Sequence, residues 1–293
     1  MSDADFVPRN FLGLPRDTST YEAARIVVLP IGFEMTTSYG AGTRGGPEAI
    51  LAASRQVETY DAELDVDLVE APIHTLDPMV PDFSSPGAMV ERIRHVATRL
   101  LGDAKWVLGL GGEHTTTLGL VQAARERHGP LSILQIDAHA DLRSTYEGTP
   151  FSHACAMRRC VEDGNRTVHV GIRNASREEV EFARREKLPI FWGRQCAAGD
   201  GWIEEAVAAL AGPVYLTVDV DGLDPAIIRT TGTPEPGGLA WWTTIKLLEG
   251  IFRRHEVVGA DVVELAAGGD PASDFAAAKL AAKIAALELY GKR

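Results

Sequence analysis

Short apolar runs alternate with longer stretches of helical periodicity along this chain. The runs are rich in Val, Ile and Leu without regular polar alternation, which is typical of strands covered on both faces. They predict six strands, at residues 24–31, 106–110, 131–136, 167–172, 214–218 and 257–263. Six helices are predicted at residues 88–101, 117–128, 176–186, 202–210, 243–254 and 275–290. Ser176 and Glu179 form a capping-box pattern, and Ser273 or Asp274 is expected to cap the last helix.

This alternation favours an α/β fold in which a parallel sheet carries helices on both faces. No linker, repeat or low-complexity tract divides the chain. We therefore predict a single domain over residues 1–293, with residues 1–20 as a possible N-terminal extension. Ligands of such sheets bind beyond the carboxyl ends of the strands. We accordingly interpret the Pro- and Gly-rich stretch 230–238 as an active-site loop rather than a domain boundary.

Composition narrows the class of protein. The chain has 45% hydrophobic and 24% charged residues, as is ordinary for a soluble enzyme, and no apolar run of transmembrane length. Its net charge of −12 argues against a nucleic-acid partner and would suit a small cationic substrate. Residues 1–10 lack the apolar core of a signal peptide. No membrane association is expected, and we predict a cytoplasmic protein.

Three cysteines are present, and no two of them form a CxxC pair. An odd count without such spacing makes a disulfide framework unexpected, which fits a reducing compartment. Cys155 and Cys160 are interpreted as small packing residues, with metal ligation as the alternative.

The strongest chemical signal follows the third predicted strand. Asp137, His139 and Asp141 come directly after it at two-residue spacing. Because every second side chain of an extended chain points to the same face, this spacing aims a carboxylate, an imidazole and a carboxylate at one point. The alternative is a polar loop with a helix-capping aspartate. We predict a metal site.

Two further strand ends bring residues of the same kind. Asp219 and Asp221 follow strand 214–218 and would repel each other without a cation, whereas Asp224 before a proline is interpreted as a turn residue. His114 follows strand 106–110 and is predicted to be a ligand. Glu113 could orient His114 or form a salt bridge.

The charges of this set indicate two metal ions. Four aspartates balance two divalent cations, while the two histidines add neutral nitrogen. Carboxylate-rich, thiol-free ligands favour Mn²⁺ over structural Zn²⁺, and Co, Ni or Zn ions remain possible. Two such ions could activate water as a nucleophile near neutral pH. The predicted metal ligands are His114, Asp137, His139, Asp141, Asp219 and Asp221.

These motifs, in this order, resemble the ureohydrolase (arginase/agmatinase) family. The resemblance covers nearly the whole chain, from TTSY at 36–39 through GGEH, DAHAD, SHA at 152–154 and DVDGLDP to TGTP at 231–234 and VVE at 262–264. It implies a three-layer α/β/α fold with a mostly parallel central sheet and a binuclear Mn²⁺ site. It also implies hydrolysis of a guanidino substrate to urea and an amine.

Further roles follow from the resemblance alone. One ion would be held by His114, Asp137, Asp141 and Asp219, and the other by His139, Asp137, Asp219 and Asp221, so that Asp137 and Asp219 bridge. His153 matches a histidine beside the leaving amine, although a structural histidine at a helix start stays open. Glu264 matches the glutamate that holds the guanidinium. The predicted catalytic residues are thus Asp141, His153 and Glu264.

The substrate is less clearly indicated. The short segment 142–151 resembles that of compact agmatinases and favours agmatine, which would be hydrolysed to putrescine. Aminopropyl agmatine, a guanidino acid, arginine and guanidine are the alternatives. Glu147 could bind the far amine or pair with Arg143, and Arg143 or Arg229 facing the site would favour an acid.

Two other classes remain open. A non-catalytic relative would be expected to have lost metal ligands, and a one-zinc deacetylase would not need two carboxylate clusters with GGEH. The resemblance to this family also implies a homo-oligomer, either a trimer or a hexamer.

Overall fold

The computed structural model describes residues 8–292. Its strands are β1 Ile26–Ile31, β2 Tyr60–Asp61, β3 Val66–Asp67, β4 Ile73–Thr75, β5 Trp106–Gly111, β6 Ser132–Ile136, β7 Arg166–Ile172, β8 Ile190–Trp192, β9 Val214–Asp219 and β10 Val257–Val263. Its helices are α1 Gly46–Ser54, α2 Pro86–Gly102, α3 Thr116–His128, α4 Ala156–Glu162, α5 Arg177–Glu186, α6 Gly193–Cys196, α7 Gly201–Ala208, α8 Trp241–Arg254 and α9 Pro271–Tyr290. All twelve elements predicted from the pattern are present, with ends shifted by a few residues.

Eight strands form one sheet in the order β4-β1-β5-β10-β9-β6-β7-β8, and every neighbouring pair is parallel. Alternate side chains of β1 enter two separate apolar clusters, Ile26 and Val28 on one face and Val27 and Leu29 on the other. Residues of α1, α7, α8 and α9 complete the first cluster, while residues of α2 to α5 complete the second. The predicted three-layer α/β/α fold is thereby confirmed.

Capping residues were predicted for two helix N-termini, and the structure confirms one of the two predictions. The Ser176 and Glu179 side chains form the predicted capping box at α5. The expectation for α9 was wrong, because Asp270, not Ser273 or Asp274, accepts hydrogen bonds from the first free backbone N–H groups. Pro271 at the first helical position explains the earlier start, since it needs no amide hydrogen there.

None of the helices among residues 8–292 combines the length and apolar character that crossing a bilayer requires. All three cysteines are buried and free, and Cys155 and Cys160 pack as the composition indicated.

Candidate metal centre

The predicted metal ligands and Glu264 follow four strands that are neighbours in the middle of the sheet, β5, β10, β9 and β6. Parallel strands end at the same edge, so side chains that follow them meet there. His114 lies between β5 and α3, and Glu264 comes directly after β10. Asp219 ends β9, and Asp137 comes directly after β6. These residues are therefore brought together by the order of the strands in the sheet and not by their order in the sequence.

His114 is the centre of a first cluster. Its Nδ1 lies 3.1 Å from Asp137 Oδ2, 2.9 Å from Asp141 Oδ2 and 3.5 Å from Asp219 Oδ2. The nitrogen is buried, yet it makes no hydrogen bond within the described chain. A buried nitrogen facing three carboxylate oxygens is satisfied by a cation among them. The donors thus fit a divalent metal.

A second cluster adjoins the first. His139 Nδ1 lies 3.0 Å from Asp221 Oδ2 and 3.6 Å from Asp137 Oδ1. Asp137 therefore offers one oxygen to each histidine, which is the arrangement that a bridging ligand needs. The two clusters His114–Asp137–Asp219 and Asp137–His139–Asp221 each bring their ligand atoms within 4.8 Å of one another.

Burial and mutual repulsion disturb the acid–base chemistry of these carboxylates. Burial, together with the negative charge of Asp137, raises the pKa of Asp141 to about 7. Burial and the neighbouring Asp221 raise the pKa of Asp219 well above its ordinary value. Such carboxylates hold protons unless positive charge replaces them.

Metal binding should therefore compete with protons. We expect Mn²⁺ affinity to be greatest above pH 7 and to fall about tenfold per pH unit for each proton that must leave, as pH decreases below 7. The sign follows from the raised pKa of Asp141, which is protonated below that pH. Calorimetric titration in two buffers of different protonation enthalpy counts the protons released. An affinity that is constant between pH 6 and pH 8 would contradict this reading.

Hydrogen bonds beneath the clusters orient the ligands, and the sequence did not reveal them. In register across adjacent strands lie Asp261, Thr217, Gln135 and His169. Thr217 Oγ1 donates to Asp261 at 2.6 Å and contacts His114 Nε2 at 2.9 Å. Since the hydroxyl proton goes to Asp261, Nε2 donates to Thr217 and Nδ1 is the ring nitrogen that faces the clusters.

Gln135 supports the Asp137 carboxylate in the same way. Its amide nitrogen donates to Asp137 Oδ2 at 2.6 Å, and its amide oxygen contacts His169 Nδ1. Burial lowers the pKa of His169 to about 4, so this ring is neutral and acts as a hydrogen-bond partner only. A carboxylate inside a strand buried on both faces, here Asp261, is the signal that could have identified this row.

Glu264 and His153 line a cavity of about 170 Å³ with His114, His139 and Asp141. Glu264 Oε1 accepts a hydrogen bond of 2.7 Å from the His114 backbone N–H, and burial raises its pKa well above the ordinary value. Burial, and then the charge of His114, lower the pKa of His153 to about 4. The predicted catalytic residues are thus brought together in one chamber.

Two of these residues adopt an unusual backbone. Asp141 has φ 53° and Glu264 has φ 67°, in the left-handed region that non-glycine residues seldom occupy. Backbone hydrogen bonds hold both residues: the Glu264 N–H donates to the Gly112 carbonyl at 2.8 Å, and the Asp141 carbonyl accepts the Arg158 N–H at 3.0 Å.

Other charged residues lie differently from their sequence-based alternatives. Glu113 neither contacts the His114 ring nor pairs with a cation among the described residues; it accepts hydrogen bonds from Met35 and Thr36. Arg229 is mostly exposed and lies 3.4 Å from Asp270, outside the cavity lining.

Arg143 does line the cavity, and its carboxylate neighbour is Glu179 at 3.9 Å rather than Glu147. Its guanidinium also lies over the Tyr146 ring, 5.1 Å from the centroid. Glu147 is exposed on the adjoining turn.

Loop 230–238 reaches the cavity through Thr233. Arg173, another residue that the sequence did not single out, holds this loop by donating to the backbone oxygens of Glu235 and Asp221, each at 2.6 Å. Asp224 accepts backbone N–H bonds from Ala226 and the loop, as expected for a turn.

Comparison with known proteins adds four findings. The model of a family described as the arginase family matches residues 24–287. The chain is 40% identical over 285 residues to an N(1)-aminopropylagmatine ureohydrolase of Synechocystis sp., covering 94% of this chain and 93% of that protein. It is 36% identical to an agmatinase of Pyrococcus horikoshii, covering 83% and 84%. The solved structure of agmatine ureohydrolase from Thermoplasma volcanium superposes with a TM-score of 0.87 at 31% identity, covering 98% and 96%.

Proposed function

The chain belongs to the arginase family, and from this premise we propose that it hydrolyses N(1)-aminopropylagmatine to urea and the corresponding triamine. Its identity to an enzyme of that name is 40%, against 36% to an agmatinase and over a larger share of the chain. This difference carries the proposal. The motifs alone favour agmatine, with the aminopropyl compound as an alternative, and the relatives support the alternative better than the main prediction.

We place two Mn²⁺ ions at the two histidine–aspartate clusters, with the six predicted ligands. The carboxylate-rich donor set supports this choice, and Co, Ni or Zn ions are substitutes with the same ligand chemistry. Bound ions of this kind supply activation of water near neutral pH. They also relieve the repulsion among the buried aspartates.

Glu264 would bind the guanidinium. Its Oε1 is already held by the His114 backbone N–H, which leaves Oε2 directed to the substrate. A planar cation needs a carboxylate partner in such a buried chamber. The substrate carbon would then lie between this carboxylate and the metal clusters.

His153 would carry the proton to the leaving amine. Its Nδ1 is 3.2 Å from Thr36 Oγ1 and 3.3 Å from Ser152 Oγ, so Nε2 is the ring nitrogen available to the cavity. The lowered pKa keeps the ring neutral near pH 7, ready to accept a proton at Nε2 and pass it on.

The substrate assignment is tested by urea release. With Mn²⁺, we expect kcat/KM for N(1)-aminopropylagmatine to exceed that for agmatine by about 10- to 100-fold, because an extra amine can make a charge-assisted hydrogen bond of about 1.5–3 kcal/mol. Arginine is the control substrate. Equal or faster turnover of agmatine would return the assignment to agmatinase.

A second candidate is hydrolysis of a guanidino acid. The observation that favours it is Arg143, a cation in the cavity lining. The carboxylate next to it in the protein is Glu179, at 3.9 Å. Faster turnover of 4-guanidinobutyrate than of both amines would select this candidate.

Three broader predictions also stay proposals: a single domain over residues 1–293, a cytoplasmic location, and assembly into trimers or hexamers. The family resemblance supports the assembly, and size-exclusion chromatography with light scattering measures it.

A further inference from the structure

We propose that Thr36 and Glu113 are positioning residues that fix which ring nitrogen of His153 carries the proton, leaving Nε2 to act on the leaving amine. This inference rests on the proposed function, since it concerns the proton-transfer role of His153. It assigns a role to Glu113, which the metal clusters do not use.

Glu113 holds the loop that follows β1. Its Oε2 accepts the backbone N–H groups of Met35 and Thr36, at 2.6 and 2.7 Å. Its Oε1 lies 2.8 Å from the Thr36 hydroxyl oxygen. Glu113 is fully buried and Thr36 is nearly so, which makes the geometry of these bonds well defined.

The same hydroxyl contacts His153 twice. Thr36 Oγ1 accepts the His153 backbone N–H at 3.0 Å and lies 3.2 Å from the ring Nδ1. A hydroxyl has one proton and two lone pairs. If its proton goes to the Glu113 carboxylate, both lone pairs face His153, and this contact favours a hydrogen on Nδ1. The Ser152 hydroxyl, 3.3 Å from Nδ1, can accept from the same N–H.

The reverse chain is the competing arrangement. A protonated Glu113 would donate to Thr36, and the hydroxyl would donate to Nδ1, moving the ring proton to Nε2. Both arrangements use the same heavy-atom positions, and the two backbone N–H groups at Oε2 favour a carboxylate that accepts at both oxygens. The two arrangements therefore need an experiment that responds to the direction of the hydrogen bonds.

Glu113→Gln makes that distinction. The N–H groups of Met35 and Thr36 need an acceptor, so the new amide oxygen takes the place of Oε2 and the amide N–H faces the Thr36 hydroxyl. The hydroxyl must then donate to Nδ1, which gives His153 the wrong tautomer. We expect kcat to fall about 10²-fold, with KM and metal content unchanged. An unchanged kcat would mean that the reverse chain operates and would overturn the proposal.

Thr36 variants test the link by a second route. Thr36→Val should lower kcat at least tenfold, and Thr36→Ser should restore it, because serine retains the hydroxyl. The control is Thr244→Val, which removes a buried hydroxyl that donates to the Ala240 carbonyl at the start of α8. Introduced into a His153→Ala background, Thr36→Val should cause no further loss.

The outcomes are separable. Equal losses from Thr36→Val with and without His153 would show that Thr36 acts by another route, and would overturn the inference. Wild-type protein that releases urea from no guanidino compound would refute the proposed function, and the inference with it. Normal wild-type turnover with unaffected Glu113 and Thr36 variants refutes the inference alone.

Discussion

Asp219→Asn is expected to remove both metal ions and reduce turnover by at least about 10³-fold, since metal ions supply several kcal/mol of charge stabilisation. Asp219 is buried at the end of β9, 3.5 Å from His114 Nδ1. Its Oδ1 also accepts the Asp221 backbone N–H at 2.9 Å, so one side chain connects the two clusters. Asparagine brings no charge and replaces one acceptor with a donor.

Elemental analysis after dialysis measures metal per chain, and urea release measures turnover. The matched control is Asp200→Asn, an exposed aspartate that pairs with Lys246 far from the clusters. It should retain metal and activity. Full metal content in Asp219→Asn would exclude the proposed bridging role.

Glu264→Gln has the opposite signature: metal retained, turnover lost. The glutamine oxygen can still accept the His114 backbone N–H, which turns its amide N–H groups towards the guanidinium. A donor then faces a cation that offers only donors. Losing one partner of a buried charge pair costs about 2–5 kcal/mol, or about 30- to several-thousand-fold in kcat/KM.

This variant is assayed by kcat/KM, metal content and thermal unfolding together. Retained metal with lost turnover assigns Glu264 to the substrate. Loss of metal at unchanged thermal stability would instead place Glu264 among the ligands and would leave the guanidinium without its proposed partner.

The fold could be predicted from the sequence because its strands are long, apolar and covered on both faces. The six predicted strands correspond to the six interior strands of the sheet, β1, β5, β10, β9, β6 and β7. The pattern missed β4 and β8, which have three residues each and lie at the edges of the sheet. At that length, apolar periodicity does not separate a strand from a loop. It also missed α1 and α4, of nine and seven residues.

The clustering of the predicted ligands could be foreseen for a related reason. They stand in clusters at strand ends, where a parallel sheet collects its chemistry. The supporting residues could not be foreseen, because Thr217 and Gln135 are single uncharged residues within apolar runs. Asp261 was the exception that could have been recognised, since a carboxylate inside the run VVGADVV is costly unless it is hydrogen-bonded.

The positions of the residues that would select the substrate could not be predicted from the sequence, because they depend on contacts within loops. Arg143 and Arg229 are residues of the same type. Arg143 lines the cavity, whereas Arg229 pairs with Asp270 outside it. Their positions depend on neighbours that are far away in sequence. Motif spacing holds no information about such contacts.

The left-handed backbone at Asp141 and Glu264 sets a limit on engineering for heat resistance. Glycine would relieve about 1 kcal/mol or more of conformational cost at each position, but it would delete the two carboxylates to which we assign metal and guanidinium binding. Thermostability and turnover are thus traded against each other at these two residues. Lys187, the C-cap of α5, has the same left-handed backbone, with φ 57°, but no proposed role in the site. A glycine introduced to stabilise the protein would therefore be placed there first, rather than at Asp141 or Glu264.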